Sequence, residues 1–145
     1  MQLFNGLNDA IVQAARNART PRFQVSDVAP QSVEDMHRAF SETGCIVVWS
    51  GGSESTIYRE PQVNYLFRAW HDWTHLKTGA DFSLAGETRN ALAQMSQVGT
   101  ELQRLIYIES VLQAAHYFRT GDFPLDQVAF TLDALKNNSS GALKF

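Results

Sequence analysis

The stretch PQVNYLFRAWHDWTHLKTG, residues 61–79, constrains the fold more than any other part of the chain. Pro61 suits the first turn of a helix, where its missing N–H is not needed, and Gly79 suits the left-handed cap that ends one. Between them Val63, Leu66, Phe67, Trp70 and Thr74 recur at helical spacing and make one apolar stripe. Such a stripe has to be covered by other elements. Beside it stand His71, Asp72 and His75. They either hold a metal ion or are polar groups satisfied inside an ordinary core.

The rest of the chain supplies the cover. Leu3, Leu7, Ile11 and Ala14 predict a helix over residues 2–18. Pro21 and Pro30 bracket an extended linker in which Phe23, Val25 and Val28 dock singly. A second helix follows in SVEDMHRAFSETG, with Ser32 as its N-cap, Glu34 and Asp35 in the first turn and Gly44 at its stop. CIVVWSGGSESTIY is β-branched and aromatic around Gly51-Gly52, which predicts a β-hairpin of Cys45–Trp49 against Ser55–Tyr58 packed on a helix. Beyond the loop TGADFSLAG a long helical stretch covers residues 86–119, kinked or split at Gly99. Gly121 and Pro124 end it. Leu125, Val128, Ala129, Leu132 and Leu135 mark a last amphipathic helix, and residues 138–145 read as a loose tail. The expectation is one compact, mainly α domain over residues 1–137, with about five helices and one small hairpin near 45–58.

Composition narrows the function classes. A net charge of −3 argues against a protein built to coat nucleic acid. Cys45 is the single cysteine, so no intrachain disulfide forms and a reducing compartment is expected. No apolar run approaches the ~20 residues of a membrane span. The first residues lack a basic start before an apolar block, so no secretory signal is expected and the chain reads as cytoplasmic.

The chemistry is concentrated in residues 67–87. On a helix His71 and His75 lie within about 40° of each other. Imidazoles at i and i+4 are what a helix offers a divalent ion: neutral ring nitrogens that converge on one point. Glu87 is the nearest third ligand, across a connection in which Gly79 and Gly86 let the chain fold back. HDWTH has the spacing of the HExxH zinc motif, with Asp72, one methylene shorter, where the glutamate base would stand. Asp72 is expected to bind the ion or orient its water, and Asp72 and Glu87 are the expected catalytic carboxylates. The expected ion is zinc, manganese or iron. An additional site is read at Glu109 and His116, which fall within the stripe of Leu102, Leu105, Ile106 and Leu112. A carboxylate facing a core needs a partner, and His116, Arg68, Arg104 or a metal ion would serve. Plainer roles are expected elsewhere: His37 on the surface, Trp49, Trp70 and Trp73 in the core, Cys45 as a small buried hydrophobe, Asp81 shaping its loop and Ser83 capping a helix.

NYLFRAWHDWTHLKTGADFSLAGE resembles a group of bacteriophage proteins whose pattern runs F-R-A-x-H-D-x-x-x-H, then T-G, F and G-E. Phe67, Arg68, Ala69, His71, Asp72, Thr78, Gly79, Phe82, Gly86 and Glu87 fit it; His75 follows Asp72 at a shorter spacing than the group's second histidine. The resemblance covers roughly a sixth of the chain and implies a viral origin, the cytoplasm of an infected host and a shared local site, with no reaction attached. A likeness to phosphohydrolases of the HD type would pair His71-Asp72 with His37 and with Asp126 or Asp133, but the expected hairpin interrupts that helical layout. A ferritin-like di-iron bundle would need two Glu-x-x-His pairs, and the sequence has none. The leading expectation is a metal-dependent hydrolase acting on a small molecule, with phosphoesters or nucleotides favoured; Arg68 and Lys77 could offset phosphate charge, but ordinary surface roles are expected for them first. Its rival is a non-catalytic phage accessory protein that binds a host or phage protein or forms a homodimer, its histidine–carboxylate cluster only locking helices together.

Overall fold

The computed structural model describes residues 6–137. Its elements are α1 (Leu7–Asn17), β1 (Phe23–Ser26), α2 (Val33–Thr43), β2 (Ile46–Trp49), α3 (Pro61–Thr78), α4 (Leu84–Met95), α5 (Thr100–Tyr107), α6 (Gln113–Thr120) and α7 (Gln127–Asn137). A π-helical turn, Ile108–Leu112, joins α5 to α6. The fold is mainly helical, as the periodicity predicts. Several boundaries follow from local chemistry. The Ser32 hydroxyl accepts from the Asp35 N–H at the start of α2, and the Ser83 hydroxyl accepts from the Gly86 N–H at the start of α4. Gly44, Gly79 and Gly121 close α2, α3 and α6 in the left-handed region. The long stretch beyond residue 86 is split at Gly99, which stands as the extended cap of α5. The expected first helix begins, within the described residues, at Leu7, and the expected tail at 138–145 lies outside them.

The β structure differs from the hairpin expected at 45–58. β1 and β2 pair in parallel, Phe23 opposite Ile46 through Ser26 opposite Trp49, with α2 as the crossover. The segment read as a linker is therefore one of the strands. After β2 the chain does not return along itself, because the Arg68 guanidinium donates to the carbonyls of Trp49 and Gly51, 2.6 Å each. The Ser50 N–H still donates to the Ser26 carbonyl at 2.8 Å, and the chain turns away from the sheet at residues 51–52. Ile57 and Tyr58 then enter the core as non-strand residues, and the Tyr58 ring meets Phe67 at 5.8 Å.

α3 is the axis of the packing. Val63, Phe67 and Trp70 face a large cluster with Leu7 and Ile11 of α1, Met95 of α4 and Leu105 and Ile106 of α5. Tyr65, Ala69, Trp73 and Leu76 face the sheet, on Ile46 and Val48. Helix faces covered on two sides leave little room for solvent, so any polar group on the remaining face of α3 needs a partner. That face carries His71 and His75. No helix among the described residues is long and apolar enough to cross a membrane.

Candidate metal centre

α3 ends one turn after His75, where Gly79 (φ 72°) turns the chain back and donates its N–H to the His75 carbonyl, 2.8 Å. The fully buried Ala80 follows, and its carbonyl accepts from His75 Nδ1 at 2.8 Å. A carbonyl can only accept, so His75 carries its proton on Nδ1 and presents a lone pair at Nε2 in the neutral ring. The return into α4 depends on Gly86: a methyl group there would overlap the Asp81 carboxylate and carbonyl. Glycine lets the loop lie against the first turn of α4, and the next residue, Glu87, is carried over the two imidazoles.

Three ligand atoms meet as a result. His71 Nε2 and His75 Nε2 are 3.2 Å apart, and Glu87 Oε2 lies 3.1 Å from the first and 3.2 Å from the second. The rings cross nearly at right angles, and Phe82 packs edge-on against His75 at 5.1 Å. Ligands about 2.0–2.1 Å from a tetrahedral zinc ion stand about 3.3 Å from one another, so this nearly equilateral triangle has the size of one coordination face. The outer bonds that fix such ligands are present too. Besides Ala80 on His75, the Gln94 Oε1 atom and the Ser110 hydroxyl each lie 3.4 Å from His71 Nδ1. Asn90, wholly buried, donates to the His71 carbonyl at 3.2 Å and binds α4 to α3.

The electrostatics favour a positive charge inside the triangle. Burial by itself would lower the His71 pKa, but the charge and hydrogen bond of Glu87 outweigh it and raise the ring to about 9. Burial likewise opposes ionisation of Glu87, yet His71 and His75 hold its carboxyl down at about 2. A proton held on His71 at neutral pH marks the place where the three acceptor atoms want a cation.

The triangle lies in the wall of a cavity of about 540 Å³ that also meets Arg68, Asp72, Glu109 and Gln113. Burial raises Asp72 to about 6, against the pull of both histidines. It stands in the cavity but outside the metal-competent group, which among the described residues is His71, His75 and Glu87. Glu109 sits on the π-helical turn, a common device for redirecting a functional side chain. Thr131 donates to its Oε1 at 2.7 Å and Gln113 to its Oε2 at 2.9 Å, while burial raises its pKa to about 7. Arg68 is held by the two loop carbonyls; burial lowers its pKa, and Asp72 pulls it back up.

The expected pairing of Glu109 with His116 is not formed. Two turns of regular helix would align them, but the π-helical turn adds a residue and rotates them apart. Glu109 faces the cavity, whereas His116 lies against Phe130 and 3.3 Å from the Arg119 guanidinium, in a separate surface hollow. His37 is exposed on α2 and Asp126 lines that other hollow, so the arrangement of an HD-type phosphohydrolase is not assembled. Lys77 stands over the outer face of Trp73, 5.5 Å from its centroid, and not on the cavity wall. Trp49 is 40% exposed rather than a core residue. The sequence reading missed Asn90 and Gln94. Their only signal is a spacing of four that places them with Gly86 on one face of α4, a face that proves to be buried.

No family model matches the chain, and no curated protein or solved structure matches it significantly.

Proposed function

We propose that the protein is a metal-dependent hydrolase whose ion is held by His71, His75 and Glu87. The observation that carries this reading is the triangle of two Nε2 atoms and one carboxylate oxygen, each pair 3.1–3.2 Å apart. Two histidines and one carboxylate leave coordination positions open, the feature that separates catalytic from structural sites. The open side faces a cavity large enough for a substrate. A divalent ion bound there would acidify water and polarise an ester oxygen. The chain's own groups supply the rest. Asp72, with a pKa of about 6, is ionised at neutral pH and suited to accept a proton. Glu109, at about 7, is partly protonated and suited to give one up. Arg68 brings a positive charge to the same wall, which favours phosphoester or nucleotide substrates.

A second reading has its own support. The proton on His71 already satisfies the triangle, so the cluster would also serve as a lock between α3 and α4 in a non-catalytic accessory protein. Elemental analysis of tag-free protein, followed by titration with zinc and manganese, separates the two. The hydrolase reading expects about one ion per chain, lost in His71→Ala with the fold retained, and manganese-stimulated cleavage of a generic phosphodiester. A protein that takes up no ion, and unfolds on the same substitution, is a lock.

A further inference from the structure

A metal centre needs only part of a 540 Å³ cavity, and the remainder has a distinct lining. Beyond Phe67 and Phe82, four aromatic side chains line the cavity: Trp49 at the end of β2, Tyr117 and Phe118 on α6, and Phe123 in the turn that follows. All four are 40–54% exposed. They are nevertheless held in place. The Trp49 indole lies so close to Gly51 that any side chain there would overlap it, and the Arg68 guanidinium sits 5.5 Å from its centroid. Tyr117 and Phe123 stack at 4.8 Å and 26°, brought together by the left-handed turn at Gly121. Exposed aromatics tied into fixed orientations around a polar floor are surfaces prepared for a flat partner.

We propose that these side chains bind a planar aromatic or heteroaromatic ring, so that the substrate is a small molecule with a flat ring at one end and its reacting, metal-seeking group at the other. The metal-seeking half of the statement rests on the hydrolase reading; the ring site does not. A purine or pyrimidine base answers the description, as does an aryl ester.

The test uses zinc-loaded protein and two chelators that differ in the ring alone, benzohydroxamate and acetohydroxamate. Benzohydroxamate is expected to bind at least about tenfold more tightly. Tyr117→Ala and Phe123→Ala are expected to erase that preference while leaving zinc content and acetohydroxamate affinity unchanged. Equal affinities in the unaltered protein, or a preference that survives both substitutions, would overturn the ring site and leave the metal centre standing. If the protein takes up neither zinc nor manganese, the hydrolase reading falls, and the ring site is read by ligand-observed NMR with indole. Saturation transfer that disappears in Tyr117→Ala and Phe123→Ala then upholds it, and no transfer from the unaltered protein rejects it.

Discussion

Glu87→Gln isolates the electrostatics of the centre, because it removes a charge and keeps the shape and one acceptor oxygen. Glu87 is what lifts His71 from its usual 6.5 to about 9, against burial. Such a difference corresponds to about 3 kcal/mol between the two protonation states. The opposite end of the contact agrees: the histidines take Glu87 from 4.5 to about 2. These are one coupling seen from its two ends, so they are counted once. His71 has a raised folded-state pKa; its contribution is complete below 6.5 and lost as pH rises through about 9. Glu87 has a lowered one; its contribution is present above 4.5 and lost as pH falls through about 2. Metal-free protein should therefore hold this interaction in full between pH 4.5 and 6.5. In Glu87→Gln the largest upward causes are gone, burial is opposed only by Asp72 and Gln94, and His71 should titrate well below 9. Urea unfolding at pH 6 should show a loss of about 3 kcal/mol, and the His71 ring proton, followed by NMR, gives the pKa directly. An unaltered protein whose His71 titrates near 6.5, or a Glu87→Gln variant whose His71 still titrates near 9, refutes the argument.

Other perturbations reach the same network from different sides. Because His71 keeps its proton up to about 9, zinc binding at pH 7.5 should release about one proton per ion, seen as a dependence of calorimetric heat on buffer ionisation enthalpy; no release would place the ion elsewhere. Gly86→Ala puts a methyl group into Asp81 and should cost about 1–3 kcal/mol in thermal or urea unfolding, with weakened zinc binding as the Ala80 carbonyl leaves His75. Glu109 is raised from 4.5 to about 7, so the unaltered protein should lose stability as pH rises across that window, by about 2–3 kcal/mol. Glu109→Gln should flatten that slope, and equal slopes in the two proteins would show that Glu109 is already solvated.

Helix punctuation and the apolar stripe were legible because both are local. Pro61, Gly79, Ser83 and Gly99 act on the few residues around them, and the structure uses each where its chemistry points. Strand pairing is not local. Ile46 and Val48 need a partner edge, and nothing in CIVVWSGGSESTIY distinguishes a return along residues 55–58 from pairing with Phe23–Ser26 across α2. Arg68 decides it by taking the carbonyls of Trp49 and Gly51, a choice made 17 residues further along the chain. The misplacement of His116 has a similar origin. A stripe counted at 3.6 residues per turn assumes one helical register, and the π-helical turn at Ile108–Leu112 resets it, leaving Glu109 and His116 on different surfaces.

For the centre itself, spacing and closure are separate problems. An i, i+4 pair of histidines brings two rings to one side of a helix whatever the rest of the chain does. It does not set which nitrogen faces its neighbour. That is decided by Ala80, whose backbone carbonyl has no signature in its side chain, and which reaches His75 only because Gly79 reverses the chain. Nor does the pair bring a third ligand. Glu87 arrives because Gly86 admits the Asp81 turn against the first turn of α4, and because Asn90 bonds that helix to the His71 carbonyl. The two glycines that punctuate the loop are therefore part of the centre's chemistry as much as its ligands are. Altering either should disturb the Nε2–Nε2–Oε2 triangle before it disturbs the packing of Trp70, which is fully buried in the cluster that α3 makes with α1, α4 and α5.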